Sequence, residues 1–127
     1  MDTMQEHIWN RACGHGAPVP GAGDAALAAI LTLHGMVMNV GVLDAIRTLN
    51  ADELAAARSG YRYFGFGNVA DIIGAGQAAI AQGLDAAVLE ETLEDAYAAI
   101  VEEGVLMTAF AAHHAREPGA YAPLQDG

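Results

Sequence analysis

The stretch that decides the fold is residues 24–49, DAALAAILTLHGMVMNVGVLDAIRTL. Its larger side chains recur mostly at steps of three and four residues, the spacing that lines one face of a helix. The members of this stripe are Leu27, Ile30, Leu31, His34, Val37 and Met38. Asp24 follows a loop-forming segment and is expected to cap the helix through its side-chain oxygen. Asn39-Val40-Gly41 predicts a break, followed by a second helical piece over residues 42–49.

The same stretch raises the question of a membrane span. Residues 25–43 are nineteen consecutive positions without a formal charge, enough to cross a bilayer. The flanking residues are Asp24 and Asp44, with no lysine or arginine bias to orient insertion, and His34 would lie at membrane depth. We therefore predict a central helix buried on most sides. Because the N-terminus lacks an apolar signal region, the expected location is the cytoplasm.

Capping residues and glycines mark the helix boundaries that follow. Residues 50–53, Asn-Ala-Asp-Glu, form a capping-box pattern, and the helix that they start is expected to end at residues 65–67, Gly-Phe-Gly. The next helix is predicted over residues 68–83, with Asn68 as its cap. A long helix is predicted from residue 85 to about residue 103, and a last one from residue 105 to about residue 116.

These patterns predict an all-α protein with a single compact domain of five or six helices. No alternating strand pattern extends beyond a few residues. Residues 1–23 are predicted to form an N-terminal segment and a Gly/Pro loop, GHGAPVPGAG at 14–23. Residues 24–116 are predicted to form the helical domain, and residues 117–127 a loose tail.

Composition limits the partners of this domain. The 127 residues include 16 acidic and 5 basic side chains, all five of them arginine, and the formal net charge is −11. A surface this acidic repels nucleic acids and anionic membranes, so we predict no direct binding to DNA, RNA or a membrane. The single cysteine cannot form an internal disulfide, which excludes a disulfide-stapled secreted scaffold.

The acidic residues are concentrated in the second half of the chain. Residues 63–127 carry ten acids and one arginine, whereas residues 1–62 carry six acids and four arginines. In a helical projection of residues 85–103, five acids share one arc and have no basic partner three or four residues away on the same helix; they are Glu90, Glu91, Glu94, Asp95 and Glu102. This pattern is typical of a solvated helix face, and it also predicts a binding face for a basic protein. The candidate partner-binding residues are Asp85, Glu90, Glu91, Glu94, Asp95, Glu102 and Glu103.

Residues 33–67, LHGMVMNVGVLDAIRTLNADELAAARSGYRYFGFG, resemble a family of small acidic all-α bacterial proteins that includes a DNA mimic. Residues 39–43, Asn-Val-Gly-Val-Leu, stand where that family carries an Asn-Gly-Gly-aromatic signature, and residues 61–65 stand at its aromatic-to-glycine helix stop. The resemblance implies a homodimer that imitates the charge of DNA. It also implies a DNA-binding partner, such as a regulator or a nucleoid protein, that the mimic inhibits competitively.

A second candidate surface is the aromatic cluster at the end of the capping-box helix. Its members are Arg58, Tyr61, Arg62, Tyr63, Phe64 and Phe66. Aromatic residues and arginine are enriched at protein interfaces, so the cluster predicts a core, a dimer seam or a contact with a specific partner. The last interpretation defines an alternative function, an immunity or stress-associated protein that binds through the surface near residues 61–66.

No sequence motif predicts catalysis. Cys13 and His15 provide too few ligands for a closed zinc site, and one serine with one cysteine gives no recognisable nucleophile arrangement. His34 is interpreted as a core histidine with a satisfied hydrogen bond. The adjacent His113 and His114 are expected to stabilise the C-terminus of a helix. The prediction is therefore a protein that is not an enzyme and uses neither a metal nor a cofactor.

Overall fold

Helices make up most of residues 1–124, the part of the chain that the computed structural model describes. They are α1 (Thr3–Cys13), α2 (Ala22–Val40), α3 (Val42–Thr48), α4 (Ala51–Tyr63), α5 (Gly67–Ala81), α6 (Ala86–Ile100) and α7 (Val105–Arg116), followed by a 3-10 helix, Pro118–Ala120. No strand occurs within residues 1–124, so the all-α prediction is confirmed. The predicted number of helices is wrong, because the N-terminal segment contains a complete helix and the described chain has seven.

The predicted central helix is α2, and three other helices pack against it. Its Leu27, Ile30 and Leu33 side chains are almost completely buried, in contact with a core to which α1, α3 and α4 contribute. α4 approaches closely, since a Cβ on Gly60 would lie 2.7 Å from the carbonyl oxygen of Ala26. By length and composition α2 also passes the test for a membrane span, as core helices of globular domains often do.

The break between α2 and α3 lies where the sequence predicts it. Gly41 has φ +92°, a left-handed conformation that glycine adopts without a steric penalty. α5 then packs on α4, while α6 packs on both α3 and α5. The two buried residues of α6 are Leu93 and Tyr97, so this helix is anchored along one narrow stripe.

The helix starts show which capping predictions hold. Asn50 and Glu53 form the predicted capping box, with N–H···O distances of 3.0 and 2.8 Å. Asp24 is not the N-cap of α2, because that helix begins one turn earlier and Asp24 accepts a hydrogen bond from the Gly21 backbone at 2.9 Å. Asn68 is likewise inside α5, whose N-cap is Phe66. In both cases the polar side chain is used at the helix start, but from a later position.

The predicted loose tail is docked on the domain over its described residues, 117–124. Tyr121 is 6% exposed, and its hydroxyl lies 2.9 Å from His113 Nδ1. The Ala122 backbone donates to Asp24, which also forms a 2.7 Å ion pair with Arg11. This buried carboxylate therefore ties α1, α2 and the C-terminal segment together. The remaining tail residues, 125–127, lie outside the described part of the chain.

Candidate functional site

Six of the seven acidic residues singled out from the sequence are exposed on α6 and at its two ends. We call this set the acidic ridge; it consists of Asp85, Glu90, Glu91, Asp95, Glu102 and Glu103. The ion pairs formed within residues 1–124 are Arg11–Asp24 and Arg62–Asp71, and neither involves a ridge residue. The ridge therefore presents carboxylates that the arginines of the described chain do not neutralise.

The packing of α6 explains why these side chains face outward. Leu93 and Tyr97 occupy the buried stripe, so Glu91 and Asp95 are turned to a different side of the helix. Residues four apart on a helix are separated by about 6 Å along its axis. At the start of α6, Asp85 is the N-cap, and its carboxylate accepts a hydrogen bond from the Val88 backbone at 3.1 Å.

Glu94 differs from the other predicted ridge residues. It is half-buried, and its Oε1 accepts a hydrogen bond from the Val42 backbone N–H, 52 residues earlier in the chain. α3 has no side-chain cap of its own, so Glu94 supplies one from α6. A Cβ at Gly41 would lie 2.7 Å from this oxygen, which shows how closely the carboxylate packs. Glu94 is therefore corrected from a partner-binding candidate to a capping residue.

The aromatic cluster is used largely inside the molecule. Tyr61 is 0% exposed, so it is not available to a partner. Tyr63 and Phe64 pack against the His113 ring, with ring centroids 4.7 and 5.4 Å apart. Phe66 is half-buried and contacts Tyr61 edge-on.

The two arginines of the same cluster hold α5 against α4. Arg58 Nε donates to the Ala70 carbonyl at 3.0 Å, and its guanidinium lies over Gly74. Arg62 is exposed and reaches Asp71 at 3.9 Å. The predicted interface is thus mainly an intramolecular contact, with Arg62 and Tyr63 as its exposed members.

A chain of hydrogen bonds runs from the core to a surface cleft. Tyr61 Oη lies 2.7 Å from Tyr97 Oη, which lies 2.8 Å from Nδ1 of His34. Burial raises the pKa of Tyr61 to about 12 and raises that of Tyr97 far above its ordinary value. Burial lowers the pKa of His34. All three groups are therefore neutral near pH 7.

We call the hydrogen-bonded chain Tyr61–Tyr97–His34 the relay. Burial of the Tyr61 hydroxyl decides which group donates in each of its hydrogen bonds. Within residues 1–124, the Tyr61 hydroxyl has Tyr97 as its only hydrogen-bond partner, so its proton must point there to be satisfied. A buried hydroxyl proton without an acceptor costs about 1–3 kcal/mol. Tyr97 accepts this bond and donates its own proton to Nδ1 of His34, which leaves the imidazole proton on Nε2.

His34 lines a cleft of about 370 Å³ formed by α1, α2 and the turn into α7. Its apolar walls include Trp9, Met38 and Met107, and Glu102 and Glu103 line it as well. The predicted hydrogen bond of His34 is confirmed, but the prediction of a core position is wrong, because His34 is half-buried and lines the cleft. Sequence reasoning missed the cleft, because its walls come from three separate parts of the chain; His34 in an apolar stripe was the one available signal.

The remaining histidines and the cysteine have structural surroundings. His114 Nδ1 lies 3.2 Å from Gln5 Nε2, which also donates to the Ala111 carbonyl, so α7 is tied to α1. His113 and His114 do lie in the last turn of α7, as expected. Cys13 is exposed, and partial burial raises its pKa, which disfavours the thiolate. Within residues 1–124 no group of three His, Cys, Asp or Glu side chains is arranged to hold a metal.

No protein-family model, no curated protein and no solved structure matches this chain. Its function is therefore inferred from the arrangement of its own residues, above all from the acidic ridge and the cleft beside His34.

Proposed function

We propose that this protein is a non-enzymatic acidic binding protein whose ridge occupies the basic surface of a DNA-binding protein. The observation that carries the proposal is the exposure of six carboxylates, on α6 and at its two ends, without an arginine partner in the described chain. Such a surface attracts a cationic partner, and the attraction accelerates encounter and selects against acidic competitors. In this proposal the contact residues are Asp85, Glu90, Glu91, Asp95, Glu102 and Glu103.

Imitation of DNA is the specific form of this proposal. Glu91 and Asp95 lie four residues apart on α6, about 6 Å along its axis, on the scale of several ångströms that separates phosphates along a DNA strand. A regulator or nucleoid protein that binds the ridge then has its DNA-binding surface occupied. The chain itself does not bind DNA, because its net charge is −11.

The packing observations favour the ridge over the aromatic surface near residues 61–66. Tyr61 is buried, and both Tyr63 and Phe64 contact His113. Residues that already hold a domain together have less apolar area to bury against a partner. The ridge side chains, by contrast, are free of ion pairs within residues 1–124.

A displacement experiment tests the proposal. A fluorescently labelled 20-bp duplex is bound to a histone-like nucleoid protein, and its anisotropy is followed as this protein is added. The ridge variant E90Q/E91Q/D95N leaves Glu94 untouched, so the cap on α3 is preserved. The matched control E6Q/D44N/D52N removes the same three charges from exposed positions on α1, α3 and α4.

We expect the natural protein to displace the duplex and the ridge variant to require an about tenfold higher concentration. The control should match the natural protein within about twofold, and displacement should weaken as salt is added because exposed charges are screened. Equal loss in both variants would show that only net charge matters and would overturn the role of the ridge. A natural protein that binds the nucleoid protein without releasing DNA would overturn the mimic.

A further inference from the structure

The cleft beside His34 has the properties of a small-molecule site. Its volume of about 370 Å³ lies within the range of ordinary ligand pockets, which run from about 300 to 1,000 Å³. Most of its wall is apolar, and its lining includes Trp9 on α1, Met38 on α2 and Met107 on α7. A few polar groups converge on it, the combination that distinguishes a binding site from a packing defect.

The polar groups define the charge of a suitable ligand. Glu102 and Glu103 line the cleft, and neither carboxylate forms an ion pair within residues 1–124. No arginine lines the cleft. Two carboxylates without an arginine beside them in the cleft favour a cation over a neutral molecule or an anion.

His34 is the third polar residue that lines the cleft. Its Nδ1 lies 2.8 Å from the Tyr97 hydroxyl, so the ring is held in place by a residue of α6. Burial lowers the pKa of His34, so the imidazole is neutral near pH 7 and adds no formal positive charge to the cleft that Glu102 and Glu103 line.

We propose that this cleft binds a small hydrophobic organic cation of the arylalkylammonium class, with its ammonium group at Glu102 and Glu103 and its apolar part between Trp9 and the two methionines. The cleft shares Glu102 and Glu103 with the acidic ridge, whereas its His34, Trp9 and methionine lining lies outside the ridge. Binding here needs no protein partner.

The chain contains a built-in probe for this site, because Trp9 is its only tryptophan. The natural protein is titrated with 4-phenylbutylammonium and with the neutral analogue 4-phenylbutanol, and Trp9 fluorescence and calorimetry report binding. We expect the amine to bind about tenfold more tightly than the alcohol, equivalent to ~1.4 kcal/mol. Equal affinities for the two compounds, or no binding of either one, would overturn the proposal.

Two charge variants separate a local site from a general effect of charge. E102Q/E103Q should remove the preference for the amine and leave the alcohol affinity unchanged. E90Q/E91Q removes the same number of charges from adjacent exposed glutamates that do not line the cleft, and it should keep the preference. An equal loss in both variants would contradict a local site. Because E90Q/E91Q impairs the ridge and spares the cleft, failure of one proposal is distinguishable from failure of the other.

A third variant tests the apolar part of the cleft. Met38 is 74% exposed, so M38R should fold normally, and its guanidinium can reach toward the neighbouring carboxylates. The variant should bind the amine at least about tenfold more weakly, because its own cation competes for the site. Retained affinity in M38R would contradict the proposed placement of the ligand.

Discussion

The contact between α2 and α4 differs from the surface of α6 in how completely its side chains are buried and its charges are paired. α2 buries Leu27, Ile30 and Leu33 almost completely, and Gly60 of α4 lets the two backbones approach. At the end of α2, its buried Asp24 is paired with Arg11 and accepts backbone hydrogen bonds. In this region the apolar side chains are buried, and the buried carboxylate is paired within the molecule.

α6 has the opposite character. Two of its fifteen residues are buried, and Val88 remains 66% exposed. Its carboxylates, apart from the half-buried Glu94, are solvent-exposed and form no ion pair within residues 1–124. The contrast predicts that stability is concentrated at α2–α4, while α6 and the turn after it carry charges that are not paired within residues 1–124.

The strongest test of this contrast is a pair of core and surface truncations. Leu27→Ala removes a side chain that is 0% exposed and should lower the free energy of unfolding by about 2–5 kcal/mol, through lost burial and an unfilled cavity. Val88→Ala, at a position that is 66% exposed, should change it by less than about 0.5 kcal/mol. Urea unfolding measures both. Similar losses in the two variants would mean that stability is spread evenly over the helices.

A second test sharpens the distinction within α6 itself. Glu94→Ala removes the cap on α3 and should cost about 1 kcal/mol, the usual effect of losing a helix cap. Glu91→Ala, three residues earlier and solvent-exposed, should stay within about 0.5 kcal/mol of the natural protein. Chemical denaturation of both variants provides the measurement. If Glu91→Ala proved the more damaging, the assignment of Glu94 as a cap would be wrong.

The smallest expected effect concerns pH. Burial holds the pKa of His34 below its unfolded value of 6.5, so the unfolded chain binds a proton more readily. The stability that His34 contributes is therefore complete above pH 6.5 and is lost as the pH falls from there toward its folded pKa. Unfolding measured from pH 7.5 to pH 5.5 should reveal this loss, together with one of the same sign from His113, whose pKa burial also lowers.

The acidic ridge could be predicted from sequence almost completely, and the cleft could not. Helical periodicity alone separates Leu93 and Tyr97 from Glu91 and Asp95, because side-chain direction repeats every 3.6 residues. Glu94 projects within the same arc, between Glu90 and Glu91, so periodicity does not distinguish it, and a residue of another helix decides its role. That residue is Val42.

Interactions between residues close together in the chain explain which features the sequence alone determined. The capping box of Asn50 and Glu53 joins residues three apart, and the helix ends near Gly65 and Gly83 need only a backbone that tolerates positive φ. Such interactions depend on a few neighbouring residues, so the all-α class and most helix boundaries follow from the chain itself. The concentration of negative charge in its second half is also a property of composition.

Tertiary structure decided the features that join distant residues. Tyr97 forms hydrogen bonds with His34, 63 residues away in the chain, and with Tyr61, 36 residues away. Asp24 accepts a hydrogen bond from the C-terminal segment, which the sequence predicts to be a loose tail. A hydrogen bond of this kind forms only after packed helices bring the two groups within about 3 Å, and no local pattern encodes that approach. The relay and the cleft therefore exist only in the folded molecule, whereas the helices and their charge can be predicted from the sequence.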